Sequence, residues 1–205
     1  DTRAFLDAHD LILSNGVISL DYDKRKSSRQ KKIAAQAFPS DLATYKSADE
    51  LSATCGLPVK SGGLLFETGA VIQPRQLSGQ LAEGVERIYG AQLHTISGEE
   101  GAWIAHCMDG RTFMADHVVL CAGADFPKLL ETIGYDLGVY QVTSGQLSIL
   151  PKTTKLAALQ IALNYSGYTT PLIKGQQYLG AGFDPTADTS VTPVSYTHLT
   201  LPTSR

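Results

Sequence analysis

Short apolar runs and helical patterns alternate along most of the chain. The run HVVLCAGAD (117–125) is continuous and β-branched, which is typical of a strand covered on both faces. It ends in the small pair Ala122-Gly123, where glycine allows a turn with positive φ. Phe126 to Ile133 follows with helical spacing and a proline in its first turn. The pattern predicts a strand, a tight turn and a helix, as at nucleotide sites of α/β folds, although a ligand-free connection explains it equally well.

The same periodicities predict the other elements. Helices are predicted at 24–38, at 49–55 closed by Gly56, and at 74–90. Strands are predicted at 16–20, 62–66, 92–96, 103–108 and 112–114, with a hairpin at Asp109-Gly110. After Gly138 the pattern predicts strands only, over 139–150, 162–171 and 177–183. The chain therefore reads as α/β (α+β), with two interleaved domains.

Composition narrows the class of protein. With 205 residues, 43% of them hydrophobic, the chain can bury a core of one or two domains. No apolar run reaches the roughly 20 residues of a membrane span, and no signal peptide is visible. Neither the five histidines nor Cys55, Cys107 and Cys121 show metal-site or disulfide spacing. We expect a cytoplasmic protein with buried, reduced thiols and no metal.

Both ends of the sequence are unusual. The last residues, VSYTHLTLPTSR (194–205), fit no preceding pattern and, over Val194 to Thr203, resemble the translated transposon-end adapter of sequencing libraries. The chain begins without methionine, directly on a helix-like stretch. We expect an internal segment of a longer reading frame that carries a foreign tail.

Several motifs together resemble one enzyme family. The stretches GGLLFETGAVIQPRQL, HVVLCAGA, SGQLSILP, NYSGYTTP and QQYLGAGFDP follow one another in the order seen in the FAD-dependent D-amino-acid-oxidase and glycine-oxidase superfamily. The last three most resemble the C-terminal FAD domain of the bifunctional bacterial enzymes that build 5-methylaminomethyl-2-thiouridine at the tRNA wobble position. The resemblance implies a fragment of a two-domain FAD oxidoreductase. Part of an FAD-binding α/β domain (71–136) would be interleaved with a β-rich substrate domain (1–70 and 137–193).

The resemblance also implies which residues contact the cofactor. The backbone of Ala122 and Gly123 would approach FAD, because a larger side chain there would push the cofactor away. Ile96 would lie on the strand that meets the adenine, although the following SGEEGAW loop is shorter than is usual in the family. Gly145 would lie on the strand that faces the flavin. Cys121, beneath the flavin, is expected to be a buried small residue and not a redox group.

Two residues are candidates for contact with the substrate. Tyr168 matches the second tyrosine of the family's Tyr-x-Gly-Tyr stretch, whose hydroxyl can hydrogen-bond a substrate carboxylate; an aromatic packed on the sheet is the alternative. Gln146 would face the substrate, or equally the solvent. No catalytic acid or base is assigned, because the cofactor supplies the oxidation chemistry.

Two family features do not occur in the 205 residues. One is the G-x-G-x-x-G turn that holds the pyrophosphate, and the other is the arginine that clamps the substrate carboxylate, which would follow Asp184. The stretch ETGAV (67–71) also replaces the family's Pro-x-Gly-Gly-Trp. We expect the chain alone to be inactive and to purify without bound flavin.

The implied reaction is oxidation of the C–N bond in the carboxymethylaminomethyl group of wobble uridine, which gives aminomethyl-uridine. An S-adenosylmethionine-dependent methyltransferase domain would lie upstream in the same chain. One alternative is a glycine or D-amino-acid oxidase acting on a free small amine. The other is a flavoprotein fold kept only as a non-catalytic binding module.

A basic run supports the tRNA branch. The predicted helix at 24–38 has six cations within nine positions: Lys24, Arg25, Lys26, Arg29, Lys31 and Lys32. Binding to tRNA needs such charges to neutralise phosphates. A solvated helix face is the alternative explanation.

The foreign tail leads to a stability prediction. Deleting 194–205 should change the free energy of unfolding by less than about 0.5 kcal/mol, the size of a neutral surface change, because these residues were not selected with this core. Urea denaturation of the intact and shortened chains measures the difference. A clear loss of stability on deletion would show that the tail belongs to the fold.

Overall fold

The computed structural model describes residues 1–36, 39, 42–99, 101–152 and 156–180; the predicted tail and the end of the last predicted strand lie outside them. The helices are α1 (Thr2–Ala8), α2 (Lys24–Ala34), α3 (Ala48–Cys55), α4 (Pro74–Leu81) and α5 (Phe126–Thr132). The strands are β1 (Ile12–Leu20), β2 (Thr44–Lys46), β3 (Gly63–Ile72), β4 (Leu93–Glu99), β5 (Ala102–Cys107), β6 (Thr112–Ala115), β7 (Ser148–Pro151), β8 (Ala162–Asn164), β9 (Tyr168–Thr169) and β10 (Gln176–Gly180).

The described residues form two compact units. One consists of 1–83 together with 144–180, and the other of 84–143. The first contains a seven-stranded sheet in the order β2-β3-β1-β8-β9-β10-β7, and the second an antiparallel sheet in the order β4-β5-β6. The mixed α/β class is confirmed, while the predicted domain boundaries and their assignment to cofactor and substrate stay predictions.

The large sheet is built around β1. This strand pairs in parallel with β8 and antiparallel with β3, and the other pairs described in the sheet are antiparallel. Ile18 and Leu20 of β1 and Leu163 of β8 are fully buried with Leu51 and Cys55 of α3. Burial of each such aliphatic side chain stabilises the fold by about 1.5–3 kcal/mol. The core of this unit therefore lies between the middle of the sheet and α3.

Helix α3 has defined ends. The Ser47 hydroxyl accepts a hydrogen bond from the backbone N–H of Glu50, whose carboxylate accepts one in return from the Ser47 N–H at 2.8 Å. The hydrogen bonds that the Ser47 N–H and the Ser47 hydroxyl donate to this carboxylate lower the pKa of Glu50. Gly56 follows with φ of 75°, so the predicted glycine end of this helix is confirmed.

Helix α2 is attached to the sheet by a polar side chain. Gln30 is its buried residue, with 2% of its surface exposed. Its Nε2 donates to Ser19 Oγ at 3.0 Å, and its Oε1 accepts from the Leu64 N–H at 3.2 Å. One side chain thus links α2 to β1 and β3 and leaves most of the helix surface in solvent.

The predicted strand at 117–122 is wrong. Among the described residues no strand pairs with it, and Val119 is 83% exposed. A β-branched run forms a strand only where a neighbouring strand satisfies its N–H and C=O groups. Cys121 is likewise exposed and not buried, whereas Cys55 and Cys107 are buried as expected. The turn and helix that follow are confirmed: Gly123 has φ of 57° and α5 begins at Phe126.

Several other elements are shorter than predicted. Helix α2 ends at Ala34, and the strand predicted over 162–171 is divided into β8 and β9. The helix predicted over 74–90 ends at Leu81, because Gly79 and Gly84 weaken it and Leu81 and Val85 remain more than 60% exposed. Of the strand predicted over 139–150, the structure keeps β7. The Asp109-Gly110 hairpin is confirmed between β5 and β6, and the side-chain hydrogen bond from Arg111 lowers the pKa of Asp109.

The Gln30 anchor can be tested by substitution. Gln30→Met keeps the length of the side chain but leaves the buried Leu64 N–H without an acceptor, so the free energy of unfolding should fall by about 1–3 kcal/mol. The measurement is urea denaturation followed by circular dichroism. Gln36→Met, on an exposed glutamine after the same helix, is the control. Equal midpoints for the two variants would contradict the anchor.

Candidate functional site

A cavity of about 370 Å³ lies in the first unit, on the large sheet. Its volume is within the range of small-molecule sites. Both chain segments of the unit contribute to its wall. The lining residues are Leu13, Val71, Ile72, Gln73, Pro74, Leu147, Tyr168, Thr170, Ile173, Lys174, Gln176 and Tyr178.

The two tyrosines of NYSGYTTP differ in burial. Tyr165 is buried with its hydroxyl 2.8 Å from Thr169 Oγ1, and burial raises its pKa. Tyr168 is 40% exposed and lines the cavity. Since successive residues of a strand face opposite sides of the sheet, Thr169 points into the core and Tyr168 away from it. The structure therefore places the predicted substrate residue on a cavity wall; its contact with substrate stays a prediction.

The cavity wall also contains a cation, Lys174, that the sequence pattern does not predict. Among the described lining residues Lys174 is the charged one. It lies with Gly175 in a two-residue turn closed by hydrogen bonds between Ile173 and Gln176, and both turn residues have positive φ. A lysine with φ of 49° is uncommon. The signal in the sequence was the Lys-Gly pair between two short strands, which predicts a tight turn but not its position beside a cavity.

The remaining predicted residues of the first unit lie just before β7. Gly145 is exposed. Gln146 is half-buried, and its polar groups are not without an interaction partner. Their neighbour Leu147, and not Gln146, lines the cavity. Neither role predicted for these two residues is tested by this placement.

The other predicted cofactor residues lie in the second unit. Ala122 and Gly123 open a short 3₁₀ turn before α5, and a Cβ on Gly123 would meet no atom within 4 Å. This uncovered backbone suits the close approach of a large ligand such as FAD. Ile96 is 5% exposed, on the strand β4 that pairs with β5 along one edge. The structure thus places Ala122 and Gly123 at an open turn and Ile96 within a strand. Contact of these three residues with FAD stays a prediction.

The basic residues of α2 form a charged surface, which we call the α2 basic face. Five of its six cations are exposed and Lys26 is half-buried, with its ammonium 5.8 Å from the centre of the Tyr22 ring. None forms an ion pair with an acidic residue that the structure describes. The members are Lys24, Arg25, Lys26, Arg29, Lys31 and Lys32.

The described residues contain neither a candidate metal-binding cluster nor a candidate membrane-spanning helix. No group of three or more His, Cys, Asp or Glu side chains in the described ranges could hold a metal ion. No helix within those ranges is both long enough and apolar enough to cross a membrane.

Curated relatives of the chain share one description. The chain is 28% identical over 174 residues to the tRNA 5-methylaminomethyl-2-thiouridine biosynthesis bifunctional protein MnmC of Aeromonas hydrophila, covering 82% of this chain and 26% of the relative. It is 30% identical over 186 residues to the protein of the same name from Pseudomonas savastanoi pv. phaseolicola, covering 90% and 27%. The chain therefore spans about a quarter of the length of these relatives.

Solved structures share the fold at lower identity. Glycine oxidase from Bacillus cereus superposes with a TM-score of 0.76 at 18% identity, covering 96% of this chain and 59% of that one. L-proline dehydrogenase from P. horikoshii gives the same TM-score at 16% identity, with coverage of 98% and 59%.

The family model of the FAD dependent oxidoreductases (DAO) matches residues 3–200, nearly the whole sequence. The resemblance inferred from the motifs is thereby confirmed, and with it the FAD dependence of the family. The chain belongs to the DAO family of FAD-dependent oxidoreductases.

Proposed function

We propose that the protein carrying this chain oxidises the C–N bond of the carboxymethylaminomethyl group on tRNA wobble uridine, giving aminomethyl-uridine. The relatives at 28–30% identity are described as bifunctional tRNA-modifying proteins, which supports this substrate and a methyltransferase domain in the same protein. The setting would be cytoplasmic, which suits three cysteines that are all free.

The observation that carries the proposal is the pairing of Tyr168 and Lys174 in one cavity wall. The group to be oxidised ends in a carboxylate, next to the carbon that loses hydrogen. A phenol hydroxyl donates a hydrogen bond to such a carboxylate, and an ammonium neutralises its charge. Of the ten other lining residues, six are aliphatic or proline, so the wall also offers apolar surface to a ligand.

The proposed task of the chain's own residues is to orient the substrate. FAD, when bound, supplies the hydride acceptor, and water converts the resulting imine to glyoxylate and aminomethyl-uridine. Tyr168 and Lys174 would hold the carboxylate, which fixes the neighbouring carbon in place. Leu13, Val71 and Ile72 would cover the apolar side of the ligand. No proton transfer by these residues is needed for the positioning role.

The α2 basic face would bind the phosphate backbone of the tRNA. Helix α2 contains no acidic residue, and Gln30 fixes its inner side to the sheet while the cations face solvent. The formal net charge of the chain is −3, so this positive surface is local. A local basic surface on an acidic protein suits contact with a polyanion.

The role of Tyr168 predicts a kinetic defect. In the intact protein that carries this chain, Tyr168→Phe removes one hydrogen bond to a charged group, so kcat/KM should fall about 10- to 100-fold. Flavin content and melting temperature should hardly change, because the ring remains. Tyr89→Phe, on a tyrosine that is 78% exposed, is the matched control. Unchanged kcat/KM in Tyr168→Phe would remove this residue from the site.

The same assay separates the proposed substrate from its alternative. The two substrates are tRNA that carries the carboxymethylaminomethyl group at the wobble uridine and free glycine, compared at equal concentration. We expect efficient turnover of the tRNA only. Efficient turnover of glycine alone would favour an oxidase of free amines.

The α2 basic face predicts a salt-dependent loss of tRNA binding. Replacing Lys24, Arg25 and Arg29 by Gln removes three phosphate contacts, each contributing about 0.7–0.9 to the slope of log Kd against log salt, so the slope should fall by about 2. Fluorescence anisotropy with labelled tRNA at several salt concentrations measures it. The control replaces three lysines outside α2, namely Lys60, Lys128 and Lys152. An equal change in both variants would mean that only net charge matters.

A further inference from the structure

Tyr168 packs against one particular residue of the neighbouring strand. In the β9–β10 pair, Gly180 lies directly opposite Tyr168. A Cβ on Gly180 would lie 2.8 Å from Cε1, Cζ and Oη of the tyrosine, which is closer than real Cβ contacts come. The hydroxyl end of the ring therefore lies over the bare Cα of the glycine.

Space, and not backbone conformation, explains the glycine at this position. Gly180 is the last residue of β10 and is buried, and it does not have the positive φ seen at eleven other glycines. Alanine would fit the backbone of the strand. The group that it would meet is the far end of a side chain, which can move, and not another part of the backbone.

We propose that Gly180 is a positioning residue that sets where Tyr168 presents its hydroxyl in the cavity. This inference rests on the proposed function of Tyr168 and extends the site to a residue outside the cavity lining. Gly180 does not touch the ligand and acts only through the tyrosine. A methyl group at position 180 moves the phenol off the strand, and its hydroxyl with it, while the sheet keeps its pairing.

The kinetic consequence can be measured with one substitution. In the intact protein that carries this chain, Gly180→Ala should lower kcat/KM by about 10-fold or more, as loss of the Tyr168 hydrogen bond does. Once the hydroxyl is gone, its position no longer matters. The double variant with Tyr168→Phe should therefore be no slower than the slower single variant. Gly79→Ala is the control, because a Cβ there meets nothing within 4 Å.

Two kinetic outcomes would overturn the inference. One is a Gly180→Ala variant with wild-type kcat/KM beside a Tyr168→Phe variant that is impaired. The other is a double variant whose loss is the product of the two single losses, since independent residues behave in that way.

A double-mutant cycle of melting temperatures tests the packing of Gly180 against Tyr168 separately from the proposed function. With Tyr168→Ala the ring is absent, so Gly180→Ala should raise the melting temperature in that background and not in the wild type. Additive shifts would show that the two residues are not coupled and would overturn the positioning role. If the melting-temperature shifts are coupled but Tyr168→Phe has wild-type kinetics, Gly180 packs against Tyr168 and the proposed contact of Tyr168 with substrate is wrong. Failure of the proposed function is thereby distinguished from failure of the packing.

Discussion

The parallel pairing of β1 with β8 holds the first unit together. Strand β1 comes from the first 83 residues and β8 from the segment after residue 143, and their register joins Val17 to Ala162. Through β8 the strands β9, β10 and β7 extend the sheet. Because of this one pairing, Leu13 and Val71 line the same cavity as Tyr168 and Lys174. A contact between distant parts of the sequence, which has a high cost in chain entropy, thus creates the candidate site.

The elements that the sequence predicted well are those specified by local chemistry. Helix α3 has its capping box and terminal glycine, and the β5–β6 hairpin has Asp109-Gly110. The failures depend on distant partners. Val118 and Val119 have the composition of a buried strand, but strand formation needs a neighbour, which the described residues do not provide. Local patterns cannot show whether that neighbour exists.

Residues of the candidate site also differ in whether the sequence alone could predict them. Tyr168 was found because the motif around it resembles a family motif, and the structure places it on a cavity wall. Lys174 was missed because a turn residue carries no sign of what lies beside the turn. Gly180 was missed because its requirement arises from the tyrosine across the strand pair, 12 residues earlier in sequence. Such requirements become visible only once the register of two strands is known.

Differences in exposure among the three cysteines allow selective chemical labelling of the second unit at Cys121. Cys121 is exposed, whereas Cys55 and Cys107 are buried, and burial raises the pKa of the Cys55 thiol. Since the thiolate is the reacting form, a maleimide dye would couple first at Cys121. The dye would then sit two residues from Gly123, at the open turn before α5. The sequence thus provides its own attachment point for a fluorescent label beside this turn, without engineered cysteines.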